Sequence, residues 1–292
     1  GGVIIIIGII TSTLLWADLN NIYIWTLIFV SLSLGLLGFI DDLLKIKLKN
    51  SRGLNSKLKF FGQLVIGSIT LLILIKFSNH EYLYNLYFPF FKNLIWQMGL
   101  FFIPFGLFVI IGSSNAVNLT DGLDGLATVP VMLVALSFTL ISYVVGNTIF
   151  SAYLQLQYIP DVGELAIFCG SIVGSCLGFL WYNAPPAKIF MGDTGSLSLG
   201  GSLAAIAIIV KHEIVLAIIG GLFVLETVSV IIQVIYFKYS RNRYGHGQRV
   251  FLMSPIHHHF QKLGIHESKI VVRFWIMGIL FAIISLVTLK IR

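Results

Sequence analysis

The chain has 292 residues, of which 57% are hydrophobic and only 11% are charged, and its mean hydropathy is +0.94. Soluble globular domains carry about 25% charged residues, so this composition excludes the cytosolic, secreted and disordered classes of protein. Helices satisfy their backbone hydrogen bonds internally, which makes a bundle of apolar helices the default architecture in lipid. The two cysteines, Cys169 and Cys176, lie in one apolar run and indicate no disulfide framework. We therefore expect an all-α, polytopic transmembrane helix bundle.

Nine apolar stretches have roughly the length that a hydrocarbon core of about 30 Å requires. In chain order they are residues 2–16, 22–40, 60–77, 98–113, 125–145, 164–182, 196–210, 214–237 and 270–289. Short polar segments separate them, without long linkers. This pattern predicts a single integral-membrane domain over residues 1–292.

The basic residues predict how the bundle is oriented. One face would hold the loops 41–59, 114–125, 183–196 and 238–269 with thirteen Lys and Arg residues, against five on the other face. By the positive-inside rule the first face is cytoplasmic and the C-terminus lies outside. The net charge of +7 is therefore interpreted as topology, with no nucleic-acid partner. Ionisable residues on the outer side are interpreted as solvated helix ends, His212 and Glu213 among them.

Four polar clusters fall in the predicted cytoplasmic loops, and the first is the pair Asp41 and Asp42 at the end of an apolar run. Adjacent carboxylates repel each other, which favours a role in acid–base chemistry over a purely structural one. The lysines that follow are interpreted as positive-inside residues: Lys45, Lys47 and Lys49.

In the second cluster polar residues recur at every third position, at Asn115, Asn118, Asp121 and Asp124. On an unbroken helix each step of three residues drifts by about 60°, so the outer two would face opposite ways. We expect the neighbouring glycines to break the helix so that the polar groups converge. A capping or turn role is the alternative.

The third cluster runs from Asn183 to Ser196 and contains Asp193 between two glycines. A helix is expected to begin there, and its N–H groups could face a phosphate. A carboxylate with hydroxyl groups nearby also suits Mg²⁺, which takes one or two protein carboxylates together with substrate phosphates and water. The alternative is that Asp193 caps the following helix.

The fourth cluster contains three consecutive histidines, His257, His258 and His259. Consecutive side chains point about 100° apart on a helix, which disfavours a zinc site. With Arg249, the histidines are expected to donate hydrogen bonds to phosphate. Glu226 lies in the middle of an apolar span, where a role near the site and a helix-packing hydrogen bond both remain open.

Carboxylates, a magnesium site and basic groups at a bilayer surface predict phosphoryl transfer between a water-soluble donor and a lipid acceptor. Four segments, in this order between apolar spans, also resemble one family. They are Gly38–Asp42 (GFIDD), Asn115–Gly125 (NAVNLTDGLDG), Phe190–Ser196 (FMGDTGS) and Pro255–Phe260 (PIHHHF). The family is the phospho-N-acetylmuramoyl-pentapeptide transferases, called translocase I or MraY, of the polyprenyl-phosphate N-acetylhexosamine-1-phosphate transferase superfamily.

The resemblance implies a ten-span enzyme of the bacterial inner membrane, and nine spans would fit a chain without the first helix. It implies transfer of phospho-MurNAc-pentapeptide from UDP-MurNAc-pentapeptide to undecaprenyl phosphate. The products would be lipid I and UMP, the cofactor Mg²⁺, and the pathway peptidoglycan synthesis. It also implies a homodimer.

Carried over residue by residue, the resemblance implies that Asp193 is the Mg²⁺ ligand. Asp41 matches the acid proposed to deprotonate the lipid phosphate, and Asp42 is its neighbour at the site. The catalytic residues implied are Asp41, Asp42, Asp193 and His257. The substrate-binding residues implied are Asn115, Asn118, Asp121, Gly122, Leu123, Asp124, Asn183, His258 and His259.

Two alternatives remain open at this point. An enzyme of the same superfamily could use UDP-N-acetylglucosamine as the donor. A transporter or flippase would instead require ionisable groups along mid-membrane positions and an internal repeat. The sequence shows no repeat and has only Glu226 charged at depth.

Overall fold

The computed structural model describes residues 1–49, 53–78 and 81–290. The α-helices of these residues are α1 (Gly2–Trp16), α2 (Ile22–Leu48), α3 (Ser56–Phe77), α4 (Phe102–Thr120), α5 (Thr128–Val145), α6 (Thr148–Leu154), α7 (Leu165–Asn183), α8 (Gly192–Ile209), α9 (Glu213–Ile219), α10 (Gly221–Tyr244), α11 (Ile256–Lys262) and α12 (Glu267–Thr288).

Within the described residues, eight helical segments are long and apolar enough to cross a membrane, and the shorter α1 is also apolar. Each of the nine predicted stretches coincides with helix, which confirms the helix bundle. The prediction is wrong for 214–237, which forms two helices because the chain breaks at Gly220. The adjacent glycines at this point have low helix propensity.

Strands β1 (Asn85–Phe88) and β2 (Phe91–Gln97) form an antiparallel hairpin between α3 and α4, a small addition to the predicted all-α bundle. Asn85 pairs with Gln97, and the register shifts between Tyr87 and Phe88. The segment is rich in aromatic residues, which favour a pleated sheet over a helix. Hydropathy alone did not indicate it.

Several helices continue into the segments that were predicted as loops. Helix α2 extends to Leu48, so Asp41 and Asp42 lie on its last two turns. Its final residues are Leu, Lys and Ile, and of these Leu and Lys have a high helix propensity. Helix α4 ends at Thr120, just before Gly122, which confirms the predicted break in the second cluster.

Helix α8 is the centre of the bundle. It is the least apolar of the spanning segments, yet 89% of its residues are buried. It packs against α2, α4 and α1. Small residues permit this packing: a Cβ atom on Gly200 would lie 2.5 Å from the carbonyl oxygen of Ser113. The Ser113 hydroxyl donates to the carbonyl of Gly200 at 2.8 Å. Close backbone approach through small residues is a common way to pack helices in lipid.

A buried ion pair follows the C-terminal end of α8, which corrects the expectation of solvated residues there. The Lys211 Nζ lies 2.6 Å from Glu213 Oε1 and 3.0 Å from the carbonyl oxygen of Leu83. Lys211 is 1% exposed and Glu213 is 4% exposed. Paired charges tolerate burial far better than single ones. Glu226 is therefore not the only glutamate that is buried.

A small second apolar core lies beside the main one and joins the second polar cluster to the C-terminal helices. Leu123 and Leu126 pack there with Leu222 at the start of α10 and Phe274 of α12. The indole N–H of Trp275 also donates to the carbonyl of Gly125 at 3.1 Å. These contacts hold the segment that follows α4 against α10 and α12.

Candidate active site

The C-terminal end of α2 and the N-terminal end of α8 meet backbone to backbone. A Cβ atom on Gly38 would lie 2.2 Å from the carbonyl oxygen of Asp193, so only glycine permits this approach. As a result Asp41, Asp42 and Asp193 each place a carboxylate oxygen within 4.8 Å of the other two. Two of the predicted clusters therefore form one centre.

The carboxylate of Asp42 caps α8 from a neighbouring helix. It accepts hydrogen bonds from the N–H of Asp193 at 3.2 Å, the N–H of Thr194 at 3.0 Å and the hydroxyl of Thr194 at 2.7 Å. These are the unpaired N–H groups of a helix start, which favour an anion. The expectation that they face a substrate phosphate is wrong in this structure, because Asp42 occupies them.

Asp193 lies in the first turn of α8, but its side chain leaves the helix, so the capping alternative is wrong. Its Oδ2 lies 2.6 Å from Lys59 Nζ and 3.1 Å from Lys45 Nζ. Its Oδ1 accepts a hydrogen bond from the Asn118 amide at 2.9 Å, and that amide also donates to Ser196 Oγ at 2.8 Å. The third cluster thus joins the second through Asn118.

Asp41 is 3% exposed and is held by two donors. Its Oδ2 lies 2.5 Å from Lys45 Nζ, and its Oδ1 accepts the N–H of Leu54 at 2.8 Å. Gly53 has a positive φ of 51°, and a Cβ atom there would lie 2.7 Å from Asp41 Oδ1. Glycine at this position lets the backbone come close to the carboxylate.

Lys45 and Lys59 were missed as site residues, because the lysines after Asp42 were interpreted as positive-inside residues. Lys45 contacts both Asp41 and Asp193, while Lys47 and Lys49 are exposed. One signal for Lys45 was available in the sequence. It follows Asp41 by four residues and Asp42 by three, the spacings that face each other on a helix. Lys59 gave no comparable local signal, because its partner is 134 residues away.

These side chains surround an open cavity of about 530 Å³. Asn115 lines the cavity and donates a hydrogen bond to Gln63 Oε1 at 2.9 Å. Asp124, the other outer residue of the second cluster, is not among the lining residues. Two ammonium groups line the cavity beside two carboxylates. The cavity therefore suits an anionic ligand together with a cation. Its lining residues are Asp41, Lys45, Leu54, Ser56, Lys59, Phe60, Gln63, Asn115, Asn118 and Asp193.

Asp121, which follows α4, is partly buried and has an unusual acidity. Burial is the largest cause that raises its pKa to about 7, and the negative charge of Asp193 adds to the effect. A hydrogen bond from the N–H of Gly192 opposes both. The pKa of this carboxyl group is therefore close to neutral pH, where the group can exchange a proton or accept a cation.

The three clustered carboxylates suit a hard divalent cation. They offer only oxygen ligands, which magnesium and calcium prefer. Both lysine ammonium groups point at Asp193 Oδ2 and balance part of the negative charge of the cluster. The three carboxylates together could bind a metal ion.

Comparison with known proteins shows the family of this chain. A family profile described as glycosyl transferase family 4 matches residues 24–211. The chain is 61% identical to the phospho-N-acetylmuramoyl-pentapeptide-transferase of Pelagibacter ubique (strain HTCC1062). It is 54% identical to that of Phenylobacterium zucineum (strain HLK1) and 56% identical to that of Rickettsia prowazekii (strain Madrid E). Each comparison covers 100% of this chain and 79% of the relative.

The chain belongs to the phospho-N-acetylmuramoyl-pentapeptide-transferases of glycosyl transferase family 4. In this transferase, Asp124 lies apart from the three clustered carboxylates and fixes the local backbone. Its Oδ2 accepts the N–H of Ala187 at 2.8 Å, and its own N–H donates to Glu267 Oε1 at 3.2 Å. Asp124 thereby ties the second cluster to the Pro-containing turn of the third.

Three other predicted substrate-binding residues of the transferase use their polar atoms within the chain. Asn183 is 2% exposed, accepts from Thr128 Oγ1 at 2.9 Å and donates to the carbonyl of Ile189 at 2.9 Å. His258 Nδ1 lies 2.7 Å from Gln261 Oε1, and His259 Nδ1 accepts the N–H of Leu252 at 3.1 Å. Their contacts with substrate remain predictions.

His257 is completely buried, and so is Glu226. The His257 Nδ1 lies 3.1 Å from Glu226 Oε1. On its other side the imidazole packs against Gly122, where a Cβ atom would lie 2.3 Å from His257 Nε2. The fourth cluster therefore meets the second at Gly122, and the mid-span carboxylate of Glu226 contacts the site through this histidine.

Proposed function

We propose that the chain transfers phospho-MurNAc-pentapeptide from UDP-MurNAc-pentapeptide to undecaprenyl phosphate, giving lipid I and UMP. The convergence of three carboxylates and two lysines on one cavity carries the proposal. The full-length similarity to transferases of this name supports the same reaction. The proposed place is the cytoplasmic face of a bacterial inner membrane, in one integral-membrane domain with its C-terminus outside.

The reaction exchanges one phosphorus–oxygen bond for another. An oxygen of undecaprenyl phosphate bonds to the phosphorus next to the sugar, and the bond from that phosphorus to the bridging oxygen breaks. The bridging oxygen and its electron pair leave with UMP. Two anionic substrates must approach each other, so charge neutralisation and positioning carry most of the catalysis.

Lys45 and Lys59 supply the positive charge for this approach. Both ammonium groups line the cavity and can turn from Asp193 towards phosphate oxygens when the substrates enter. Asp41, beside Lys45, accepts a proton if the lipid phosphate arrives as the monoanion. Asn118 holds Asp193 in place, and Asp42 holds the helix start that carries it.

Asp193 holds Mg²⁺ in this proposal, with Asp41 and Asp42 close enough to assist. A magnesium ion held there would neutralise the charge that develops on the transferred phosphoryl group and on the departing nucleotide. The hard oxygen ligands of the centre favour this ion over softer metals.

The donor side is proposed to lie along the second and fourth clusters. Asp121 borders the carboxylate centre, and its half of the site continues through Gly122 to His257. Nucleoside and peptide contacts are proposed for the residues beyond it: Leu123, Asp124, Asn183, His258 and His259. A further substrate contact is proposed for Asn115, which lines the cavity of the carboxylate centre. A homodimer is proposed from the family resemblance alone.

Release of UMP tests the proposed function. Purified protein with Mg²⁺ and undecaprenyl phosphate is expected to release UMP from UDP-MurNAc-pentapeptide and to form the lipid-linked product. The parallel reaction contains UDP-N-acetylglucosamine. Turnover of that donor alone would overturn the choice of substrate, and turnover of neither would overturn the proposed reaction.

The Asp193→Asn variant tests the metal site. Loss of the carboxylate should abolish UMP release and its dependence on Mg²⁺, while the protein stays folded in detergent. Asp161→Asn is the matched control, because Asp161 is exposed and lies in the segment between α6 and α7. Near-normal activity in Asp193→Asn would place the metal elsewhere, with Asp121 and Asp124 the next residues to test.

A further inference from the structure

The buried pair of Glu226 and His257 is more than a packing contact. Both side chains are 0% exposed, one from the second turn of α10 and one from α11. Within the described residues, both carboxylate oxygens of Glu226 and both ring nitrogens of His257 lack an aligned hydrogen bond, although Nδ1 and Oε1 lie only 3.1 Å apart. Buried polar atoms without a partner are costly, and they concentrate at sites where a function retains them.

The geometry gives the two nitrogen atoms of His257 different surroundings. Nδ1 lies 3.1 Å from Glu226 Oε1 without an aligned hydrogen bond; because a carboxylate oxygen can only accept, a hydrogen bond between the two atoms requires a proton on Nδ1. Nε2 then faces Gly122, which is exposed. Because glycine has no side chain, only the backbone of Gly122 separates Nε2 from the surface of the site.

We propose that Glu226 is a positioning residue: it fixes the ring of His257 so that Nε2 stands beneath Gly122, at the donor side of the site. This inference rests on the proposed function. Glu226 touches no reacting atom and acts through His257. An acceptor that fixes a histidine's proton and orientation has the same role behind catalytic and metal-bound histidines.

The surroundings of His257 contain few other charged groups. His258 is its neighbour in α11, with ring centroids 4.1 Å apart, and the segment at Gly122 carries Asp121 and Asp124. The carboxylate of Glu226 is the group paired directly with the ring. Removing its charge while keeping its shape therefore isolates its effect on His257.

The first measurement is the ¹⁵N NMR spectrum of the full-length protein with labelled histidine, in lipid nanodiscs. His257→Asn identifies the His257 resonances by subtraction. Nδ1 is expected to be protonated in the wild type, and its resonance should shift in Glu226→Gln. An unprotonated Nδ1 in the wild type would overturn the proposal without reference to any Glu226 variant.

The second measurement is steady-state UMP release. Glu226→Gln should lower kcat/KM for the donor by about 10- to 100-fold, the usual effect of losing such a supporting partner. Glu226→Asp keeps the carboxylate and should recover part of the loss. Ser229→Ala is the control, because Ser229 is buried one turn further along α10 and donates to the carbonyl of Glu226.

Wild-type kcat/KM in Glu226→Gln would overturn the proposal, and so would equal losses in the Gln and Asp variants with an unchanged His257 spectrum. Wild-type protein that releases no UMP would instead contradict the proposed function, while the spectrum of His257 still decides the positioning role.

Discussion

At the scale of single residues, the site depends on carboxylates that are held in place by donors from other elements. Asp42 receives two N–H groups of α8, Asp41 receives the N–H of Leu54, and Asp193 receives Asn118. Each carboxylate is fixed before any substrate binds. Preorganised groups of this kind lower the reorganisation that the reaction requires.

Asp121 gives a prediction for stability against pH. Burial, followed by the charge of Asp193, raises its pKa to about 7, above its unfolded value of about 4. The folded state then binds the proton more tightly than the unfolded state, so stability falls as pH rises from about 4 to 7. Asp121→Asn removes this cost, and its melting temperature in EDTA should exceed that of the wild type by more at pH 8 than at pH 5. Parallel melting curves across this range would contradict the prediction.

Gly192 gives a prediction for strain at the carboxylate centre. Its φ is +66°, and a Cβ atom there would lie 2.7 Å from Asp42 Oδ2. Gly192→Ala should cost about 1–2 kcal/mol of stability from the left-handed backbone, and it should lower UMP release because Asp42 must move. Gly178→Ala is the control, since no atom lies within 4 Å of a Cβ atom at that position. Equal melting temperatures and activities for the two variants would refute this account.

At the scale of secondary-structure elements, α8 accounts for the placement of the site. Its small residues let α2 and α4 approach its backbone, and these two helices supply Asp41, Asp42 and Asn118. The carboxylate centre is thus a product of helix packing. A disturbance of the α4–α8 contact should reach the site through the helices.

Gly200 and Gly112 test this packing as a matched pair. A Cβ atom on Gly200 would lie 2.5 Å from the Ser113 carbonyl oxygen, and backbone cannot yield as a side chain can. Gly200→Ala should therefore lose about 1–3 kcal/mol, the usual cost of overpacking. Gly112→Ala meets no atom within 4 Å and should gain about 0.5–1 kcal/mol from helix propensity. Thermal unfolding in one detergent compares them, and a stable Gly200→Ala would contradict the packing argument.

Sequence reasoning performed well where a local pattern decides the structure. Hydropathy located the apolar helices, and glycine placed the end of α4. It failed where distant contacts decide. The place of Lys59 in the site depends on its ion pair with Asp193. The burial of Glu213 depends on its ion pair with Lys211 and on the helices that cover both residues. The carboxylate cluster was anticipated as a set of residues, but the capping of α8 by Asp42 required coordinates.

At the scale of the whole molecule, the residues of the proposed site lie at one end of α8 and the ion pair of Lys211 and Glu213 at the other. An 18-residue helix is about 27 Å long, close to the thickness of a hydrocarbon core. The two ends therefore belong to opposite surfaces of a membrane.

Cysteine labelling tests the proposed orientation. Cys169 and Cys176 are buried, so their background reaction should be low. Lys262→Cys, exposed in α11 on the site side, should resist an impermeant maleimide in intact cells and react after disruption. Ala152→Cys, exposed in α6, should react in intact cells. The reverse pattern would invert the topology.

Helix α8 is fastened at both ends. Asp42 accepts hydrogen bonds from its first turn. Lys211, just beyond its last turn, forms an ion pair with Glu213 and donates a hydrogen bond to the carbonyl of Leu83. If α8 slid along its axis by one helical turn, about 5.4 Å, the hydrogen bonds of Asp42 and the contacts of Lys211 would break together. Widening of the cavity to admit or release a bulky substrate must therefore come from its neighbours. Helix α3 contributes Lys59, Phe60 and Gln63 to the lining of the cavity, and its spanning part is only 28% buried, so α3 is the neighbour best placed to move beside the fixed α8.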